Sequence, residues 1–179
     1  MKDRVFSTGL YVSNIGSKIS YSKGEISDFL PTNIKLGMAF SIEVDMQNSF
    51  TISMDANKLL VPTPDTASVD IITGLGSGKS VVAGMFSSFS DAPGGLTEEL
   101  NEISLSGGIE YAYQQNYFIR AGYFHENENK GNRKFFSSGI GSNLVIQKKI
   151  LTIDAAYLIP MARYNSLGST MQLSISFTI

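Results

Sequence analysis

The sequence predicts an all-β protein, an antiparallel meander transmembrane β-barrel with about eight strands in this chain. Three observations lead to this prediction. Apolar and polar residues alternate over long stretches, the links between these stretches are alternately long and short, and few residues are charged. A period of two places every second side chain on the same face of a strand. A barrel strand needs only one apolar face to cross a membrane, so no long apolar run is required.

The composition excludes several other classes of protein. Charged residues make up 17% of the 179 residues, below the ~25% of a typical soluble domain. No apolar run reaches the ~18 residues that a membrane helix needs. A net charge of −2 offers no basic surface for nucleic acid, and the absence of cysteine excludes disulfides and thiolate metal sites. No signal peptide follows Met1, so we expect the exported natural protein to be longer.

Each predicted strand has about the 9–11 residues that a tilted membrane strand requires. The stretch 33–43 is representative, because Leu36, Met38 and Phe40 share one face and small or polar residues share the other. We expect residues 1–179 to form a single portion of a barrel. The predicted strands lie near residues 5–13, 33–43, 49–57, 103–113, 117–125, 135–146, 151–159 and 171–179.

The links between the predicted strands alternate in length. The first, third, fifth and seventh links are long, and the others have only a few residues. Barrels inserted from one side of a membrane have long loops outside and tight turns in the periplasm. We therefore expect the segments 62–95 and 125–133 to lie at the same end of the sheet and to form a partner surface.

The turn between the fourth and fifth strands predicts a register. If Tyr113 pairs with Tyr117, Glu110 lies opposite Arg120 on the polar face. Opposite charges on directly facing residues favour this register over its neighbours. A slip of one residue would move both charges to the apolar face.

A second register follows from the turn before the seventh strand. Pairing Gln147 with Ile150 around two lysines places Leu144 opposite Ile153 on the apolar face. Neither of the two predicted pairings puts a charge into lipid. Both therefore agree with a sheet whose apolar face lies against a membrane.

The polar face carries small side chains, which has a consequence for the barrel. A closed eight-stranded barrel fills its interior with its own side chains. Glycine, serine and alanine, which dominate this face, are too small for that. Either other segments plug the lumen or these strands belong to a wider barrel.

No enzymatic or cofactor site can be assembled from the sequence. The stretch 73–80 ends in Gly-Lys-Ser like a phosphate-binding loop, but Thr73 stands where that motif requires its first glycine, so we interpret it as a loop. His125 is the only histidine, and with no cysteine the common catalytic triads and zinc sites lack their parts. We predict no enzyme activity, no cofactor and no metal site.

Six groups of residues carry a resemblance to a known family: 13–21, 29–33, 59–64, 89–95 with 98–100, 120–126 and 130–136. Together they resemble the PorV family, the outer-membrane barrels of the type IX secretion system of Bacteroidota. The resemblance is to the C-terminal half of the family and covers nearly the whole chain in order. It implies a 14-stranded barrel with a fold similar to that of FadL-type fatty-acid transporters.

The resemblance implies an outer-membrane protein that binds secreted cargo by its C-terminal signal domain. It would then deliver the cargo to the surface attachment complex. The implied partners are the cargo, the attachment complex and translocon proteins of the same system, and outer-membrane lipid. A second function stays open, the transport of hydrophobic small molecules in the manner of FadL. An open apolar lumen would favour transport, and a plugged lumen with exposed aromatic loops would favour cargo binding.

The candidate partner-binding residues lie in two long loops. Phe86 and Phe89 are three residues apart, as on one face of a short helix that 91–95 would end. They either meet a partner or fold inward and plug the barrel. Arg133 and Lys134 could meet carboxylates of the cargo. The predicted partner-binding residues are Phe86, Phe89, Asp91, Pro93, His125, Glu126, Arg133 and Lys134.

Overall fold

The computed structural model describes residues 3–20, 27–63, 80–147, 149–161 and 168–178. Within these ranges the chain forms eight β-strands and two short α-helices. Their bounds are β1 (Arg4–Ser13), β2 (Asn33–Glu43), β3 (Asn48–Leu59), α1 (Val81–Ser87), α2 (Leu96–Asn101), β4 (Ser104–Tyr113), β5 (Tyr117–His125), β6 (Lys134–Ile146), β7 (Lys149–Pro160) and β8 (Thr170–Thr178).

The strands form one sheet in the order of the sequence, from β1 to β8. Neighbouring strands from β4 to β8 pair antiparallel. The predicted fold class, an all-β antiparallel meander, is confirmed. Every strand end lies within two residues of its predicted position. In the described part of the chain, no helix is long and apolar enough to cross a membrane.

Large apolar side chains of the sheet are exposed rather than buried. In β2, Leu36, Met38 and Phe40 are exposed, while the small residues between them are only partly accessible. The same alternation follows β5, where Ile119 and Tyr123 are exposed. The period of two predicted from the sequence thus sorts the large apolar side chains onto one face.

Little of the described chain forms a hydrophobic core. Leu60, Ala92 and Ala112 are the buried hydrophobic residues among those described. A sheet in a soluble protein buries its apolar face against a second layer. Here the apolar rows are exposed on one face of the sheet.

The pairing of β4 with β5 has the predicted register. Tyr113 pairs with Tyr117, and Glu110 lies directly opposite Arg120. Their side chains form an ion pair with 2.5 Å between Arg120 Nε and Glu110 Oε2. The prediction that both residues face the polar side of one hairpin is confirmed.

The predicted register of β6 and β7 is wrong by two residues. Leu144 lies opposite Leu151 instead of Ile153, and Ile146 pairs with Lys149. The connection is therefore a two-residue turn, and Gln147 in it has a φ of +50°. Two-residue hairpins favour left-handed conformations at their central positions. A slip of two leaves every side chain on its predicted face, because the side-chain period is two.

Contacts divide the chain into two compact units. The sheet unit comprises Met1–Gly9, Gly37–Ala56 and Ser104–Ile179. The helix-bearing unit comprises Leu10–Leu36 and Asn57–Ile103, and it contains α1 and α2. The single barrel portion expected for residues 1–179 stays a prediction.

Candidate partner-binding site

Two short helices follow β3 within the helix-bearing unit. The hydroxyl of Ser80 accepts a hydrogen bond from the backbone N–H of Ala83 at 3.3 Å and so caps the start of α1. Gly95 precedes α2 with a φ of +66°, a conformation that favours glycine. These local signals place two helices where the sequence predicted one short helix and a stop.

Helix α1 turns its smallest residue inward and exposes two apolar side chains. Gly84 is buried, and a Cβ there would lie 2.7 Å from the ring of Phe29 and 3.3 Å from Pro62. Val82 is exposed on the same helix, and Phe86 is 74% exposed. The close approach on one side explains the glycine, and the exposed residues form the first part of an apolar surface.

Helix α2 has the same inverted arrangement. Its buried residue is Glu99, whereas Leu96 and Leu100 are exposed. Phe89, just beyond α1, is 49% exposed. Helices of soluble proteins bury their apolar stripe and expose their charged face. We call Val82, Phe86, Phe89, Leu96 and Leu100 the apolar helix residues. Their exposure is typical of a surface that an apolar partner covers.

Asp91 and Pro93, two predicted site residues, lie between the helices. The Asp91 carboxylate accepts hydrogen bonds at 3.2 Å from the backbone N–H and the hydroxyl of Thr63, and from the hydroxyl of Ser87. Asp91 therefore ties the exit of β3 to α1, and partner contact through it stays a prediction. Pro93 is exposed.

Glu126 and Arg133 close the loop between β5 and β6. Arg133 donates to both carboxylate oxygens of buried Glu126, at 2.7 and 2.6 Å. The hydrogen bonds from Arg133 lower the pKa of Glu126, and burial opposes them. The same contact raises the pKa of Arg133. Arg133 remains 51% exposed at its side chain, so it can still meet a partner from its open side.

Lys134 and His125 form the base of the same loop. They pair across β5 and β6, and Lys134 Nζ lies 2.8 Å from the carboxylate of Glu128. The hydrogen bond from Lys134 lowers the pKa of Glu128. The sequence predicted that Arg133 and Lys134 meet cargo carboxylates, but each of these two residues already contacts an acid of its own loop. Their role in partner binding stays a prediction.

The polar face of the sheet unit carries an ion-pair cluster. Arg120 contacts Glu110 on β4 and Asp154 on β7. A concavity of about 360 Å³ beside it is lined mainly by small and polar residues of β3 to β6. Among them are Ser53, Asp55, Ser106, Gly108 and Ser137.

The sequence named only some of the apolar residues that the structure exposes on and beside the two helices. It identified Phe86 and Phe89, but it missed Val82, Leu96 and Leu100. The spacing of four residues between Leu96 and Leu100 could have indicated them, because such residues share a helix face. Loop residues 64–79, which include most of the phosphate-loop-like stretch, lie outside the described residues. The two loops with predicted site residues belong to different compact units, so their joint surface stays a prediction.

These features define a class: an all-β meander sheet with apolar rows on one face, charged pairs on the other and short helices that expose apolar residues. The family model for the type IX secretion system protein PorV matches residues 2–66, which are 65 of the 179 residues. Over these residues the match confirms the resemblance to the PorV family drawn from the sequence. No curated protein matches the chain.

Proposed function

We propose that this protein binds the C-terminal signal domains of secreted cargo and delivers them to the surface attachment complex. The observation that carries the proposal is the inverted arrangement of α1 and α2, which expose large apolar side chains above buried small or charged ones. Covering one large apolar side chain stabilises a complex by about 1.5–3 kcal/mol. The apolar helix residues therefore supply apolar area whose burial would favour binding of a partner.

We further propose that the sheet lies in the outer membrane as part of a barrel. Its apolar rows continue to β8, where Met171, Leu173, Ile175 and Phe177 are all exposed. Such rows would be costly in water, and lipid chains would cover them. The charged cluster of Glu110, Arg120 and Asp154 lies on the other face of the sheet, which would line the lumen.

The alternative function, transport of hydrophobic small molecules, has less support. The concavity on the polar face is lined by hydroxyls, glycines and the carboxylates of Asp55 and Glu110. Pockets for apolar ligands are lined predominantly by hydrophobic and aromatic side chains. The polar face therefore does not suit an apolar substrate, and cargo binding is the function that we propose.

A capture experiment with the full-length protein tests the proposal. Purified protein would be mixed with secreted proteins that bear or lack their C-terminal signal domain. We expect capture only of those that bear it, and capture at least about tenfold weaker when Phe86 and Phe89 are both changed to serine. Ala83→Ser, an exposed change on the same helix, is the matched control and should leave capture unchanged.

A second pair of variants tests the loop between β5 and β6 separately. Phe89→Ala combined with Arg133→Ala should release cargo, while heat-modifiable gel migration shows that the barrel still assembles. Equal capture by this double variant and the unchanged protein would reject the interface. Loss of the assembled barrel would instead favour a plug formed by the phenylalanines.

A further inference from the structure

We propose that Lys58 is the positioning residue that holds α2, and through it α1, in the orientation that exposes the apolar helix residues. The inference rests on the proposed function and concerns how the same surface is kept in place. Lys58 is the penultimate residue of β3, and its side chain is 7% exposed. A buried lysine near the end of a strand needs a partner of opposite charge, and here it has two.

Both partners of Lys58 come from α2 and its C-cap. Lys58 Nζ lies 3.0 Å from Glu99 Oε2 and 2.5 Å from Glu102 Oε2. Residues three apart lie on neighbouring positions of one helix face, so both carboxylates point to the same ammonium group. With two contacts at one atom, α2 cannot roll about its axis without losing at least one of them.

The orientation of α2 determines where its leucines point. Successive residues of a helix are rotated by about 100°, so Leu96 and Leu100 lie on one flank of Glu99, about 60° and 100° from it, and Glu102 lies about 60° away on the other flank. Since Glu99 is held inward by Lys58, both leucines are kept exposed. In this proposal Lys58 does not contact the cargo, and it acts through the helix that it anchors.

The polar contacts continue from Glu99 towards α1. The second carboxylate oxygen of Glu99 accepts a hydrogen bond from the backbone N–H of Ala92 at 2.8 Å. The neighbouring Asp91 accepts hydrogen bonds from Thr63 and Ser87. Burial opposes the charge of Glu99, but the hydrogen bonds from Ala92 and Lys58 outweigh it and lower the pKa of Glu99. A continuous set of charged and polar contacts thus joins the end of β3 to both helices.

Hydrogen exchange on the assembled full-length protein tests the proposal. Lys58→Met should raise the exchange rate of the α2 amides at least about tenfold, while heat-modifiable migration remains normal. Capture of cargo should fall in parallel. Lys149→Met, which changes an exposed lysine at the start of β7, is the matched control and should alter neither measurement.

A neutral variant keeps the test decisive if Lys58→Met fails to assemble. This triple variant combines Lys58→Met with Glu99→Gln and Glu102→Gln, so that no buried charge is left without a partner. It should assemble and still show faster exchange in α2. Unchanged exchange in this variant would overturn the proposal. Normal cargo capture by a variant with faster exchange in α2 would also overturn the proposal, provided that the serine variant of Phe86 and Phe89 loses capture. If that serine variant captures cargo normally, the proposed function fails, and the exchange result alone decides the role of Lys58.

Discussion

Arg120 on β5 forms an ion pair with Asp154 on β7, although β6 lies between them. Two glycines of β6 make this possible, since Gly139 pairs with Arg120 and Gly141 pairs with Asp154. A Cβ at Gly141 would contact the Asp154 carboxylate and lie 2.8 Å from Arg120 Nη1. The bare backbone of β6 thus leaves room for a side chain to cross it.

The first prediction concerns this crossing. Gly141→Leu should separate Arg120 from Asp154 and lower the free energy of unfolding by about 1–3 kcal/mol, as overpacking commonly does. Urea-induced unfolding of the assembled protein in detergent or lipid would measure the change. Gly9→Ala on β1 is the control, because a Cβ there has no atom within 4 Å. Equal losses in both variants would show that the crossing has no special importance.

The second prediction tests the corrected register of β6 and β7. The chain has no cysteine, so introduced pairs can be read without interference. Leu144→Cys with Leu151→Cys should form a disulfide on mild oxidation, because directly opposed residues bring their Cβ atoms within the required range. Leu144→Cys with Ile153→Cys should remain reduced. Faster oxidation of the second pair would restore the register predicted from the sequence.

The third prediction concerns the pH dependence of the loop closed by Glu126 and Arg133. The pKa of Glu126 is lowered from its ordinary value of 4.5, so the ionised form is favoured when the loop is closed. The stabilisation is therefore fully present above pH 4.5 and is lost as the pH falls through the lowered pKa. Cleavage by pepsin within residues 126–133 should therefore rise steeply as the pH falls below the lowered pKa of Glu126.

Two variants check that the acid effect belongs to this contact. Glu126→Gln should make the loop equally susceptible to cleavage at neutral pH, measured with a protease active there. Gly131 has a φ of +130°, and a Cβ on it would contact the Glu126 carboxylate. Gly131→Ala should therefore open the loop as well. A flat pH profile for the unchanged protein would contradict the role of Glu126.

The sequence predicted the strands and one register well for physical reasons. A period of two fixes which face each residue occupies, and the charges of Glu110 and Arg120 select one pairing among the alternatives. The register of β6 and β7 could not be fixed in that way, because a slip of two residues changes no face. Its turn also depends on a left-handed Gln147, a residue type that gives no turn signal.

The candidate site was only partly visible in the sequence. Phe86 and Phe89 were found because large apolar residues in a long loop need an explanation. Lys58 was missed, since its partners Glu99 and Glu102 are 41 and 44 residues away in the chain. Periodicity reports which face a residue occupies, and it carries no information about contacts over such distances.

The last prediction concerns the two leucines that sequence reasoning missed. Leu96 and Leu100 are exposed, so changing both to serine should alter the free energy of unfolding by no more than about 0.5 kcal/mol each. If a partner covers them, the same change should weaken cargo capture at least about tenfold, by the loss of buried apolar area. Capture assays and urea unfolding on the same preparation would separate the two effects.

A polar change on the same helix is the control for the leucine variant. Thr97→Ala alters an exposed residue of α2 and should leave both capture and unfolding unchanged. If the leucine variant no longer assembles a heat-modifiable barrel, the leucines have a structural role inside the full-length protein, and α2 acts as a plug. If assembly and capture are both unchanged, the partner surface is confined to the phenylalanines of α1 and the turn that follows it. Only the combination of normal assembly and weakened capture assigns α2 to the partner-binding surface.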